Sequence, residues 1–255
     1  MIHSTAIIHP GAEIAENVTI GPYCVIGDGV RLGEGCVLHN GVTLTGPATI
    51  GARNLFFPGA CIGGLTQDLK YAGEPTYLEI GDDNTFRECV TVNRGTLPGT
   101  KTVIGNHNLF LAYCHIAHDC TVGNHVIFSN NGTIAGHVTV EDHVILGGLT
   151  AVHQFCRLGK FAITGGCSKI VQDVPPFMIV DGNPAEVRGV NQVGLQRHGY
   201  TEADIRPLKE AYKALFMRGG NFLEALARLE TEHGAQPVVS HLCGFIRSSQ
   251  RGIVR

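Results

Sequence analysis

Large apolar residues recur at every sixth position along most of the chain. The series runs without a break from Ile2 to Ile62, returns from Ile80 to Val92, and extends from Ile104 to Ile170, with only Thr164 polar. A period of six matches neither the 3.6-residue turn of a helix nor the two-residue alternation of a strand. It predicts a parallel β-helix, in which each hexapeptide supplies one short strand and one corner.

Two other positions of the hexapeptide are also biased. The residue after the apolar one is often glycine, as at Gly33, Gly105 and Gly147. We interpret it as the corner residue, because glycine adopts backbone dihedrals that a Cβ atom forbids. Two residues before the apolar one, the side chains are small or β-branched, and we expect them to fill the interior: Val18, Cys24, Val30, Cys36, Val42, Cys114, Cys120, Val126, Val138, Val144 and Cys156.

The repeat is interrupted twice, near residues 65–78 and 94–102. Both segments are rich in polar and turn-forming residues, and the second contains Pro98 and Gly99, which disfavour strand pairing. Loops inserted into a solenoid project from one face and often carry binding residues. We therefore expect both segments to be loops connected with function.

After Pro175 and Pro176 the apolar period becomes helical. Helices are expected to start at Thr201 and Asn221, each followed three residues later by an acidic residue, and a third is expected at about 237–249. The predicted organisation is mainly β. It consists of a β-helix (1–185) followed by a small C-terminal α-helical domain (186–255).

Composition excludes several functional classes. The formal charge of −3 over 255 residues gives no reason to expect nucleic acid as a partner. Five of nine cysteines fall on the predicted interior register, where free cysteine is a common small apolar residue, so a reduced cytoplasmic protein is expected. The repeat starts at residue 2 and no apolar run reaches membrane-spanning length, so neither a signal peptide nor membrane insertion is expected.

Several histidines are predicted to lie in one axial column. Three hexapeptides make a coil of eighteen residues, so His118, His137, His153 and Gln154 fall within one or two positions of the same line. His115, three residues before His118, is expected about one edge of the triangle away. Imidazole titrates near neutrality and suits a general base. From the spacing alone, an acid–base site, a metal site and a set of merely exposed histidines all remain open.

Four motifs identify a family. They are Gln67–Thr76, His115–Cys120, Ala151–Phe155 and Gln172–Pro176, and in this order with a helical tail they resemble the UDP-N-acetylglucosamine O-acyltransferases of the hexapeptide-repeat acyltransferases. The resemblance implies a left-handed β-helix and a homotrimer with sites between subunits. It also implies transfer of a 3-hydroxyacyl group from acyl carrier protein to the 3-hydroxyl of UDP-N-acetylglucosamine, the first step of lipid A biosynthesis, without a cofactor or metal.

The same resemblance implies residue roles. His118 matches the general base, Asp119 its orienting partner, and the backbone N–H of Gly136 the donor to the oxyanion. Gly166 matches the end of the acyl groove, where its missing side chain would admit a long acyl chain. Matches to substrate-binding residues are Gln67, Asp68, Lys70, His115, His137, His153, Gln154, Asn191, Arg197 and His198.

Two departures and several alternatives accompany this assignment. His198 stands where the family has a second Arg, and Val193 stands where it often has Glu, so the nucleotide contacts are expected to differ. Two questions stay open: which acyl length the protein prefers, and whether it uses a sugar with a 3-amino group in place of the 3-hydroxyl. Alternatives are a related N-acyltransferase acting on a UDP-amino sugar, a zinc-dependent hydratase with three histidines across a trimer interface, and a non-catalytic scaffold.

Overall fold

The computed structural model describes residues 1–217 and 219–255. In this part of the chain the strands form three sheets, which we call I, II and III and which are visited in turn by successive hexapeptides. The sheets are the three faces of a left-handed parallel β-helix. The hexapeptide period predicts the parallel β-helix, and the family resemblance implies its left hand. The only antiparallel pairing among the described strands is the last one, between β26 (Met178–Gly182) and β27 (Ala185–Val190) of sheet III.

Most strands have just two residues. Sheet I contains β1 Ile7–Ile8, β4 Val25–Ile26, β7 Thr43–Leu44, β10 Cys61–Gly64, β13 Thr91–Asn93, β16 His115–Ile116, β19 Thr133–Ile134, β22 Ala151–Val152 and β25 Lys169–Ile170. Sheet II contains β2 Glu13–Ile14, β5 Val30–Leu32, β8 Ala48–Ile50, β11 Tyr77–Ile80, β14 Lys101–Ile104, β17 Thr121–Val122, β20 Thr139–Val140 and β23 Arg157–Leu158. Sheet III contains β3 Thr19–Ile20, β6 Val37–Leu38, β9 Leu55–Phe56, β12 Thr85–Phe86, β15 Leu109–Phe110, β18 Ile127–Phe128, β21 Ile145–Leu146, β24 Ile163–Thr164, β26 Met178–Gly182 and β27 Ala185–Val190.

The apolar series forms the interior. Ile116 pairs with Ile134, and Ile134 with Val152, so each coil advances the chain by eighteen residues where no loop is inserted. From Ile20 onward the residues of the series are almost fully buried, as are the small residues two positions earlier, whereas Ile2 is exposed and Ile8 and Ile14 are half-buried at the N-terminal end. Phe56, Phe86 and Phe110 stack inside sheet III with ring centroids 5.0 and 5.1 Å apart. The predicted interior is therefore confirmed.

Most glycines that follow the apolar residue do lie where the chain passes from one sheet to the next, but the expected backbone reason is wrong, because only Gly63 among them has a positive φ. Left-handed backbone occurs three residues after the apolar position, and there it is adopted by ordinary residues such as Asp119, His125 and His137, with φ between 55° and 60°. The glycine directly after the apolar residue is needed because the next coil lies close to it. A Cβ at Gly33 would lie 2.5 Å from the carbonyl carbon of Gly51, which no side chain tolerates.

Both interruptions are loops, and both leave the β-helix at the same corner. The first joins β10 of sheet I to β11 of sheet II, and the second joins β13 of sheet I to β14 of sheet II. They are slightly shorter than expected, because β11 already starts at Tyr77 and β14 at Lys101. The two loops contact each other through a hydrogen bond of 2.8 Å between the Thr66 and Thr96 hydroxyls.

The C-terminal segment is helical. Its elements are α1 Gln192–Arg197, α2 Glu202–Tyr212, a π-helical turn Lys213–Met217, α3 Phe222–His233 and α4 Pro237–Arg247. The expected start at Thr201 is confirmed, because its side chain and that of Asp204 form a reciprocal capping box. Asn221 likewise caps α3, and Gly234 follows its end. The short helix α1 was not foreseen.

The helices pack against the end of the β-helix. Leu208, Val239 and Leu242 form one apolar cluster with Phe177 and Met178. The boundary between residues 185 and 186 stays a prediction; in the structure β27 belongs to sheet III and crosses that point. No helix in residues 1–217 or 219–255 combines the length and the apolar character needed to cross a membrane.

The cysteines follow the two environments of the fold. The five predicted interior cysteines are buried, and Cys243 is buried among the helices, whereas Cys61, Cys89 and Cys167 are exposed. Burial raises the pKa of the Cys114 thiol to about 11 and that of Cys120 to about 12. The interior thiols are therefore protonated at neutral pH and act as small apolar side chains.

Candidate active site

The candidate residues lie at three different corners of the β-helix. The I–II corner, between sheets I and II, carries Asp119, His137 and Phe155 in successive coils. The II–III corner carries His125, His143 and Phe161, and the III–I corner carries Asn131, Leu149 and Cys167. Residues predicted from the histidine column fall on the I–II corner, from which both loops also leave.

His118 and Asp119 form a close pair. The Nδ1–H of His118 donates to Oδ2 of Asp119 at 2.8 Å. Both side chains are largely buried, with exposed fractions of 11% and 8%. Because Asp119 occupies Nδ1, the other ring nitrogen, Nε2, is the one free to accept a proton. This arrangement is that of an oriented general base.

The surroundings keep Asp119 ionised. Burial alone would raise the pKa of this carboxyl, but the polar groups of Thr100, His118 and Thr96 stabilise the carboxylate more strongly, and its pKa lies below the usual value. An ionised Asp119 holds the imidazole tautomer and stabilises the imidazolium that forms when His118 takes a proton.

Two further histidines surround the pair. His137 packs edge-on against His118, with ring centroids 5.2 Å apart, and stacks on Phe155 at 4.7 Å. His115, on β16, forms a hydrogen bond of 2.7 Å with the Thr91 hydroxyl. Burial, and secondarily the charge of His118, lower the pKa of His115, which favours a neutral imidazole able to donate or accept.

Gly136 lies directly beside the base. A Cβ at this position would be 2.5 Å from Nε2 of His118, so only glycine leaves the imidazole its place. The N–H of Gly136 has no acceptor within the described chain. A free N–H next to the proton acceptor can donate to an oxyanion that forms there.

The upper end of the I–II corner is open. His153 and Gln154 are exposed, one coil above Gly136, and His153 Nδ1–H donates to the Gln154 carbonyl at 3.1 Å. The structure thus places His118, His137 and His153 at one corner, as the column predicts. His115, on β16 of sheet I, lies next to that corner and nearer to His118 than expected. His118, Asp119 and His137 offer ligand atoms within 4.8 Å of one another, the closest approach to a metal site in the described chain.

The loop residues Gln67, Asp68 and Lys70 lie on the first loop, below the histidines. Asp68 Oδ1 accepts from the backbone N–H of Lys70 at 2.9 Å, so the carboxylate shapes the loop and keeps one oxygen free. Lys70 and Gln67 are exposed. The loop therefore presents an amide, a carboxylate and an ammonium beside the histidine corner.

The three predicted nucleotide residues lie elsewhere, near the II–III corner. Asn191 is buried and fully engaged: Nδ2 donates to the Phe161 carbonyl at 2.9 Å, and Oδ1 accepts from the N–H of Gly194 at 3.0 Å. It caps α1. Arg197 is exposed, and His198 donates to the Gly194 carbonyl and packs edge-on against His143, with centroids 4.8 Å apart.

Gly166 lies at the III–I corner, across sheet I from His118. At its neighbour Gly165 a Cβ would lie 2.5 Å from Cγ of Asp181, so the Asp181 side chain would have to shift. A Cβ at Gly166 would meet only the Gly148 carbonyl oxygen at 3.4 Å, an ordinary contact. The backbone thus does not require glycine at position 166.

Sequence reasoning missed the threonines of the two loops. Thr96 is 1% exposed and, like Thr100, helps to lower the pKa of the Asp119 carboxyl, and Thr66 in the other loop bonds to Thr96. The only sequence signal was the interruption of the repeat, which locates a loop but does not say which of its residues turn inward.

Comparisons with known proteins agree with this geometry. Residues 173–254 match the family described as Udp N-acetylglucosamine O-acyltransferase, Domain 2. Residues 1–34, 11–46 and 101–136 match the bacterial transferase hexapeptide family of six repeats.

Several relatives match over the full chain. The acyl-[acyl-carrier-protein]–UDP-N-acetylglucosamine O-acyltransferase of Akkermansia muciniphila is 53% identical, covering 98% of this chain and 98% of that protein. The protein of the same name from Verminephrobacter eiseniae is 48% identical, covering 100% and 99%. The names of these relatives do not support the N-acyltransferase or zinc hydratase alternatives.

Solved structures give the same result. LpxA from Acinetobacter baumannii superimposes with a TM-score of 0.95 at 45% identity, covering 100% of this chain and 99% of that one. LpxA from Bacteroides fragilis, a UDP-N-acetylglucosamine acyltransferase, superimposes with a TM-score of 0.96 at 38% identity and full coverage of both chains. Matched in both domains and along its whole length, the chain belongs to the UDP-N-acetylglucosamine O-acyltransferase family.

Proposed function

We propose that the protein transfers a 3-hydroxyacyl group from acyl carrier protein to the 3-hydroxyl of UDP-N-acetylglucosamine, the first step of lipid A biosynthesis, with His118 as the general base. One observation carries the proposal. Gly136, whose N–H has no acceptor among the described residues, lies directly beside the free Nε2 of the His118–Asp119 pair, which suits attack by a hydroxyl on a thioester.

The reaction follows from this geometry. His118 Nε2 takes the proton of the sugar hydroxyl while the hydroxyl oxygen attacks the carbonyl carbon of the thioester. The resulting oxyanion accepts a hydrogen bond from the N–H of Gly136, and the Asp119 carboxylate stabilises the imidazolium of His118. When the carbon–sulfur bond breaks, the imidazolium returns the proton to the departing thiolate. The exchange of an ester for a thioester involves no change of oxidation state, so no redox cofactor is needed.

The remaining residues of the I–II corner would hold the two substrates. His115, His137, Gln154 and the loop residues Asp68 and Lys70 offer donors and acceptors around the base. Arg197 would meet the phosphates, because a guanidinium suits phosphate oxygens. Asn191 would contribute indirectly, because it caps the start of α1, the helix that carries Arg197. His198, at the position where the family has a second Arg, packs against His143. The buried, reduced thiols are consistent with work in the cytoplasm.

We further propose a homotrimer with sites between subunits. The base at the I–II corner, Gly166 at the III–I corner and Arg197 near the II–III corner cannot surround one substrate in a single chain, because each corner faces a different direction. A cyclic arrangement brings unlike corners of neighbouring copies together. Sedimentation equilibrium should give three times 27.2 kDa, and a fully active monomer would contradict the proposal.

The activity is tested directly. The purified protein should convert UDP-N-acetylglucosamine and 3-hydroxyacyl carrier proteins of several lengths into an acylated sugar nucleotide detected by mass spectrometry. Running the 3-amino analogue of the sugar in parallel distinguishes ester from amide formation. Absence of product at every acyl length, from a protein that is folded by circular dichroism, would exclude the proposed reaction.

Gly166 is expected to set the acyl length. In Gly166→Met a side chain should enter the end of the acyl groove without disturbing the backbone, because a Cβ there makes only an ordinary contact. Each buried CH₂ of the substrate contributes roughly 0.8 kcal/mol, and a clash reverses that gain. The variant should prefer a chain several carbons shorter, with kcat/KM for that chain preserved. Gly166→Ala should give a smaller change in the same direction; an unchanged preference in Gly166→Met would contradict this role.

A further inference from the structure

Three possible metal ligands converge at the I–II corner. Oδ2 of Asp119 lies 2.8 Å from Nδ1 of His118 and 3.9 Å from Nε2 of His137. The three residues offer ligand atoms that all lie within 4.8 Å of one another, and no other such group of three His, Cys, Asp or Glu side chains occurs in residues 1–217 or 219–255. The carboxylate thus stands between two imidazoles that belong to successive coils.

This set of ligands suits a zinc-type ion. Two imidazoles and one carboxylate are a common set of zinc ligands in proteins, with water in the fourth, open position. Nitrogen and oxygen atoms bound to a tetrahedral zinc ion are roughly 3.4 Å from each other, so the present separations must change by roughly 0.5–1.5 Å. The His137 side chain can make the largest movement, because it is 35% exposed, whereas His118 and Asp119 are largely buried.

We propose that Nδ1 of His118, the Asp119 carboxylate and Nε2 of His137 bind one divalent ion of the zinc type, and that the bound ion inhibits acyl transfer. The ion is not needed for the reaction described above and opposes it. Inhibition rests on the proposed function, because it requires His118 to be the base. Binding of the ion depends only on the three side chains.

Inhibition follows from the two nitrogens of the His118 ring. A neutral imidazole has one N–H and one nitrogen with a lone pair. Without the ion, the hydrogen is on Nδ1, which donates to Asp119, and the lone pair of Nε2 accepts the sugar proton. An ion bound to Nδ1 requires that lone pair, so the hydrogen moves to Nε2 and no proton is gained or lost overall. Nε2 then has no lone pair with which to act as the base.

Cobalt gives a readout of binding that needs no turnover. Co²⁺ accepts the same kinds of ligands as Zn²⁺, and its tetrahedral complexes absorb visible light, which those of Zn²⁺ do not. Titration of the full-length protein, freed of metal with EDTA, should produce this absorption with a single equivalent of Co²⁺, and Zn²⁺ should abolish it. The near-ultraviolet band of a cobalt–thiolate bond should be absent; its presence would indicate binding at an exposed cysteine (Cys61, Cys89 or Cys167) and contradict the proposal.

His137 and His125 provide matched variants for the binding test. Both residues have left-handed backbone, with φ of 60° and 55°, which asparagine tolerates. His137→Asn and Asp119→Asn should each weaken Co²⁺ binding by at least about 10²-fold, because loss of even an outer-shell partner costs 10–100-fold. His125→Asn should bind Co²⁺ as the wild type does. An unchanged cobalt spectrum in either His137→Asn or Asp119→Asn would overturn the assignment of the ligands.

Kinetics test the inhibition. Saturating Zn²⁺ should lower kcat by about 10² or more, as expected for loss of a general base, and EDTA should restore it. His125→Asn should be equally sensitive to Zn²⁺. Competition of Zn²⁺ with the sugar nucleotide at unchanged kcat would place the ion on Nε2 and overturn the proposed binding mode. A metal-free protein without acyl transfer would instead count against the proposed function, and the cobalt spectrum would still decide whether the site binds an ion.

Discussion

His118→Ala should lose at least about 10² of the wild-type kcat and keep its fold. The loss follows from removal of the general base, whose contribution is typically ~10²–10⁴. The fold should persist because His118 lies outside the apolar interior, and the Ile116 and Cys120 side chains that fill the coil beside it are untouched. Single-turnover kinetics with a saturating acyl carrier protein would separate the chemical step from substrate binding.

His125 offers a control for the loss of an imidazole elsewhere on the β-helix. It is an exposed histidine of the II–III corner, stacked between His107 and His143 with centroids 4.9 Å from each, and it takes no part in the proposed reaction. Asn tolerates the left-handed backbone found there, so His125→Asn should be fully active. A His118→Ala enzyme that keeps more than about a tenth of the wild-type rate would contradict the assignment of the base.

The second large effect is expected at Gly136. In Gly136→Ala the new methyl group would occupy space now filled by the His118 imidazole, 2.5 Å from Nε2, so the ring must move. The shift separates the base from the N–H that stabilises the oxyanion. Loss of one such donor costs roughly 10²–10³ in kcat, and we expect a loss of that order. Progress curves with the substrate of the preferred length would measure it.

Gly148→Ala is the matched control for this change. Gly148 has the same place in its hexapeptide at the III–I corner, but a Cβ there makes only ordinary contacts, with the Asn130 carbonyl oxygen at 3.4 Å and Ser129 Cβ at 3.9 Å. It should therefore keep near wild-type stability and rate. If Gly136→Ala also retains most of its activity, then either the imidazole has another productive position or the N–H of Gly136 does not serve the oxyanion.

The hexapeptide pattern was sufficient to predict the β-helix, the interior and the histidine column. All three follow from periodicity, because residues eighteen positions apart stack on one another in every coil that has no inserted loop. The glycines were misinterpreted because a sequence shows that a Cβ is absent but not why. At Gly33 the reason is the nearby backbone of Gly51, and the left-handed residues are instead ones such as Asp119 and His137.

Aperiodic parts of the site were beyond the reach of this reasoning. Thr66 and Thr96 belong to loops whose spacing carries no information about which side chain turns inward, and their pairing joins residues thirty positions apart. Asn191 matched a nucleotide contact by sequence, yet its amide is buried and caps a six-residue helix that was not predicted. In both cases local hydrogen bonding, and not periodicity, determines where the side chain lies.

The threefold alternation of sheets restricts how the length of this protein can change. One hexapeptide rotates the chain by one face, so a deletion of six residues between Val122 and Ile134 would carry Gly136 to a different corner from His118. A deletion of eighteen residues would shorten the β-helix by one coil and keep every later residue on its own face. Near the N-terminus, where the coils are uninterrupted, whole coils could thus be added or removed while the reacting groups keep their mutual orientation.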